Sequence, residues 1–139
     1  MMKIMFEDNH DLGFVLWCLA SEAISMGEFH EWILYVIETV DNPPAYIFDL
    51  LDFKGYMANI HPIVGFTPDW SPTDSEIKAI SGIALRRGII PYEPVDPTSC
   101  AEALAANPAI QSKFEEMFPF ISIPANQPLH RTLNRAREP

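Results

Sequence analysis

Residues 29–40 read Phe29-His30-Glu31-Trp32-Ile33-Leu34-Tyr35-Val36-Ile37-Glu38-Thr39-Val40. Phe29, Trp32, Ile33, Val36, Ile37 and Val40 recur at i, i+3, i+4, i+7, i+8 and i+11. That spacing lays one apolar stripe along an α-helix and leaves the opposite side polar. The chain around this segment repeats the period. Upstream, Leu12, Val15, Leu16, Leu19, Ala23 and Ile24 predict a helix capped by Asn9 or Asp11 and closed by Gly27. Downstream, Asp41-Asn42-Pro43-Pro44 stops one helix and starts the next, with Asn42 as cap and Pro43 at the first helical position. Ile47, Leu50, Leu51 and Phe53 form the buried side of that third helix.

Residues 54–72 are broken by Gly55, Pro62, Gly65 and Pro68, with room for a helical turn near Met57–Ile60. Thr73 and Glu76 then fit a capping box, in which each side chain bonds the other residue's free amide. Ile77, Ile80, Ile83 and Ala84 continue that helix, and Arg86, Arg87 and Gly88 end it. Residues 89–97 read as an extended proline-rich link. Ser99 with Glu102 and Asn107 with Pro108 open two further short helices. The expectation is an all-α fold, a single-domain array of about five or six short helices with proline-rich connections over residues 1–124. A flexible basic tail follows at 125–139.

Composition narrows the function classes. The chain of 139 residues is 48% hydrophobic and 20% charged, the profile of a globular protein. Nineteen acids against nine bases give a net charge of −10. That sign opposes nucleic-acid phosphates and anionic membrane surfaces and attracts basic proteins. Cys18 and Cys100 form no metal or redox motif, residues 1–10 show no basic region followed by an apolar stretch, so a leader is not expected, and the longest apolar run, Phe14–Ala20, is too short to span a bilayer. A cytoplasmic location is expected, with no cofactor, no metal, no direct nucleic acid and no membrane contact. Oligomeric state is left open.

The charge is uneven. Residues 1–53 hold ten acids and one base, whereas residues 131–139 hold three bases and one acid. On the second helix, Glu28, Glu31, Tyr35 and Glu38 fall on the side away from the stripe. On the third, Tyr46, Asp49 and Asp52 share a face through three-residue spacings. Glu28, Glu31, Tyr35, Glu38, Tyr46, Asp49 and Asp52 are therefore the candidate partner-binding residues, since interfaces favour tyrosine anchors and carboxylates meet Lys and Arg. The alternative is a solvated helix face kept for solubility. Catalytic readings are weaker. Asp49 with Asp52 spaces like a surface pair, Glu7 and His10 give one Glu-x-x-His, and His61 lacks a metal-ligand partner. No catalytic residue is assigned, and the chain is read as a non-enzyme.

Glu28-Phe29-His30-Glu31-Trp32-Ile33, Asp41 to Phe53, and Gly82-Ile83-Ala84-Leu85-Arg86-Arg87-Gly88-Ile89-Ile90-Pro91-Tyr92 resemble small bacterial immunity proteins. These are the CdiI-type antidotes of contact-dependent growth inhibition, and the likeness spans roughly residues 10–123. The resemblance implies a cytosolic protein that binds and neutralises the C-terminal toxin domain of a cognate protein, often a basic nuclease. Such proteins share no invariant motif, so the resemblance assigns no residue. A non-catalytic adaptor or subunit of a larger assembly is the competing expectation, with Phe66, Trp70 and Tyr92 as its apolar candidates.

Overall fold

A computed structural model of the chain describes residues 2–55 and 57–124. Among them the architecture is all-α, as the periodicity requires, with no strand. The helices are α1 (His10–Ala20), α2 (Met26–Thr39), α3 (Ala45–Leu51), α4 (Ile60–Val64), α5 (Asp74–Arg86), α6 (Pro97–Ala106) and α7 (Pro108–Met117). A 3-10 turn at Met57–Asn59 leads into α4. That short helix is the one beyond the expected five or six. It accommodates Pro62 in its first turn, where a missing N–H costs little, and Gly65 closes it with a φ of 86°. The expected basic tail, 125–139, lies outside the described residues.

Several boundaries differ from expectation. α1 ends at Ala20, and Gly27 lies inside α2. The reason is a capping box that the periodicity hid: Ser25 accepts from the Glu28 amide while Glu28 Oε1 accepts from the Ser25 amide at 2.8 Å. α3 begins at Ala45 with Pro44 at its cap and no side-chain bond there, so Asn42 does not cap it. Asn42 instead takes a φ of 51°, turning the chain in the left-handed region that Asn tolerates. Asp96, not Ser99, caps α6, accepting from the Ser99 amide, with Pro97 at the first helical position. The Thr73–Glu76 box on α5 forms as read.

The described elements gather into two compact units. In the first, which contains α1 to α4, α2 packs on α3 and α1, and α3 packs on α4. Phe14, Phe29, Trp32, Ile33, Val36, Ile47 and Leu50 are fully buried there. Phe14 meets Trp70 edge to face with centroids 5.4 Å apart, and Gly13 permits that approach, since a Cβ on it would stand 2.7 Å from Trp70 Cβ. Polar bonds tie the segment before α1 to its start. Asp11 accepts from the Lys3 amide at 2.7 Å, and Asn9 Oδ1 accepts from the Asp69 amide.

In the second unit, which contains α5 to α7 and the link Ser21–Ile24, α5 lies chiefly against α6. Arg87 donates to the carbonyl of Ala23, and Asn107 donates to Ser75 Oγ and to the Ala103 carbonyl. Gly82 is the contact point between α5 and α6: a Cβ there would stand 2.7 Å from the Cys100 carbonyl oxygen. Backbone must move to admit even a methyl group. Gly82→Ala is expected to cost about 1–3 kcal/mol in urea unfolding. Gly27→Ala, where the nearest such atom is Ser25 Oγ at 3.8 Å, is expected to be neutral or stabilising by up to about 1 kcal/mol. Equal effects of the two substitutions would contradict this packing.

Candidate functional site

The outer face of α2 follows from its inner one. With Phe29, Trp32, Ile33 and Val36 buried, Glu31 and Glu38 are exposed, and Tyr35 is half-buried at the edge of the same face. Glu28 is half-buried and holds the Ser25 amide, so its carboxylate serves its own helix start. Among the described residues, no Lys or Arg pairs with Glu31 or Glu38. Leu34 also stands on this side and is 47% exposed.

On α3, Asp49 and the capping residue Asp52 are exposed, again without a basic partner among the described residues. Tyr46 is a correction. It is only 6% exposed, and its hydroxyl donates to the carbonyl of Ile4. Its ring also meets Phe66 edge to face at 5.8 Å. Tyr46 therefore fastens the N-terminal segment, and burial takes its ring off the exposed face. The exposed aromatic of α3 is Phe48, at 48%. Tyr46 and Phe48 lie about 90–110° on either side of the centre of the Ile47, Leu50 and Leu51 stripe, so helical period alone does not choose between them. What chooses is the Ile4 carbonyl, which needs a donor once it is buried.

The structure thus brings Glu31, Tyr35 and Glu38 to one face of α2, and Asp49 and Asp52 to the outer side of α3, its packing neighbour. It removes Tyr46 and adds Leu34 and Phe48. A signal for Leu34 was present: an apolar residue outside the stripe, with Glu31 three positions before it and Glu38 four after. Of the other apolar candidates, Phe66 and Trp70 are half-buried in ring contacts, whereas Tyr92 is 92% exposed and Ile90 63%. Tyr92 is held at its backbone, where its amide donates to Glu22 at 2.7 Å.

Each unit also carries a shallow pocket. One of about 320 Å³ in the second unit is lined by Ser75, Lys78, Ser99, Glu102, Ala103 and Ala106. The other, about 190 Å³ in the first unit, is lined by Leu16, Trp17, Ala20 and Met57. Neither contains Asp49, Asp52 or His61. His61 pairs its ring with Thr67 Oγ1 at 2.7 Å in an exposed position. Among the described residues, no group of three or more His, Cys, Asp or Glu side chains is placed to hold a metal ion, and no helix is long and apolar enough to cross a membrane. Cys18 and Cys100 are both buried free thiols. No protein-family model matches the chain, and no curated protein and no solved structure matches it.

Burial pushes the Cys18 thiol and the Tyr46 phenol up. It also pushes up Cys100, where Asp96 adds to the effect and Lys78 opposes it. In the unfolded chain these groups ionise near their ordinary values, about 8.5 for Cys and about 10 for Tyr. The fold keeps them protonated, so their contribution is complete below those values and is lost as pH rises toward the folded ones. Unfolding free energy is expected to decline from about pH 8 to 11, and Cys18→Ala with Tyr46→Phe to flatten the decline. An unchanged profile in the double variant would remove this account. Tyr46→Phe alone is expected to cost about 1–3 kcal/mol by stranding the Ile4 carbonyl, as read in thermal unfolding.

Proposed function

We propose that this chain is an immunity protein that binds and neutralises a basic toxin domain, and that the outer faces of α2 and α3 are its docking surface. The observation that carries this reading is the set of exposed carboxylates Glu31, Glu38, Asp49 and Asp52, none paired with Lys or Arg among the described residues. Surface acids kept only for solubility gain from being interspersed with bases. Here like charges share helix faces three and seven residues apart, an arrangement that repels itself until a cation arrives. The likeness of residues 28–33, 41–53 and 82–92 to CdiI-type antidotes supports the same partner. In this reading the chain is a cytoplasmic protein that catalyses no reaction.

The carboxylates steer encounter, because the field of an acidic face raises association rates with a cationic protein and fades as salt screens it. Co-expression and pull-down with the C-terminal domain encoded directly upstream tests the partnership. Reversing Glu31 and Glu38 to Lys is expected to slow association by roughly tenfold at low salt and to flatten its salt dependence. A complex whose association and salt dependence ignore the reversal would contradict this reading.

One observation favours the adaptor reading, namely the exposure of Ile90 and Tyr92 on a backbone held by Glu22. Binding that is insensitive to salt and abolished by Tyr92→Ala would select it.

A further inference from the structure

We infer that Leu34 and Phe48 are the anchoring contacts of the acidic face, and that the partner surface they fit is apolar at its centre and bordered by lysine and arginine. This rests on the reading of α2 and α3 as the docking surface for a basic protein and specifies that partner's chemistry.

The two side chains are about half exposed, on helices whose other large apolar residues are mostly buried. Their surroundings are acidic by helical spacing. Glu31 and Glu38, three before and four after Leu34, are its neighbours on the helix surface. Asp52 stands four after Phe48, on the same side of α3. Ala45, three before Phe48 and exposed, leaves one side of the ring uncrowded. Apolar contact ringed by charge is the anatomy of a protein interface, where the centre loses water and the rim stays wet.

Energetics separate the two kinds of residue. Exposed ion pairs each contribute little, and four of them fall short of the freedom lost on association. A lasting complex therefore needs desolvated apolar contact, which Leu34 on α2 and Phe48 on α3 are exposed to supply. The carboxylates set how fast partners meet, and the apolar pair sets how long they stay. Charge disfavours three other occupants of this face. A second copy of the chain brings the same net charge of −10, and nucleic acid or an anionic membrane is repelled.

Two synthetic peptides of equal length and equal lysine content test this on the full chain. One forms an amphipathic helix of Leu and Lys, and in the other Ser replaces Leu. By isothermal titration calorimetry at low salt, the native chain is expected to bind the Leu/Lys peptide about tenfold or more tightly than the Ser/Lys peptide. Leu34→Ser with Phe48→Ser is expected to abolish that preference while keeping the Ser/Lys affinity. Glu31→Lys with Glu38→Lys is expected to weaken both. All four positions are exposed, and unchanged unfolding midpoints verify that the variants fold. Equal binding of the two peptides by the native chain, or a preference that survives loss of Leu34 and Phe48, overturns the inference alone. Affinities untouched by the charge reversal overturn the docking-face reading and the inference with it.

Discussion

Burial of Phe29, Trp32, Ile33 and Val36 is the constraint from which the rest of the first unit follows. Once that stripe faces inward, the rotation of α2 is fixed, and Glu31, Leu34 and Glu38 have no choice but to face out. α3 packs against α2 and repeats the logic: Ile47 and Leu50 inward, Phe48, Asp49 and Asp52 outward. Apolar burial at about 25 cal/mol per Å² outweighs the repulsion among screened surface carboxylates. The fold can therefore hold like charges together at modest cost. That cost is available to a cationic partner as binding free energy.

The same comparison limits what charge can do. Four exposed ion pairs are worth about 4 kcal/mol at most, against about 4–15 kcal/mol lost when two proteins associate. A surface of carboxylates alone attracts without holding. The half-exposed Leu34 and Phe48 give this surface the component it otherwise lacks. Lying outside the stripes, each forgoes about half of the burial open to it. The capped start of α2 stabilises the first unit, and the capped start of α5 and the close contact at Gly82 stabilise the second.

Much of this was legible in the amino-acid sequence because burial is periodic. The all-α class, the stripe of α2, the Thr73–Glu76 cap and the outward course of Glu31, Tyr35 and Glu38 follow from spacing alone. What was not legible depends on contacts distant in sequence. Tyr46 and Phe48 are nearly symmetric about the α3 stripe, and the choice falls to the Ile4 carbonyl, 42 residues away along the chain. Asp11, one of the early acids, is drawn inside by the Lys3 amide. The Ser25 cap was masked by Gly27, which breaks helices more often than it sits in their first turn. Ser99 lost the α6 cap to Asp96 because Pro97 after Asp96 favours the earlier start.

Carboxylates on the outer faces of α2 and α3 stand close enough to repel one another, with no base among the described residues paired to them. Unfolding free energy from urea denaturation, measured from about 20 to 300 mM sodium chloride, tests it without any partner, because the Debye length shrinks from about 20 Å to below 8 Å over that range. The account predicts that stability rises with salt as repulsion is screened. Stability that falls with salt would mean that these carboxylates are held in favourable ion pairs, and would contradict it.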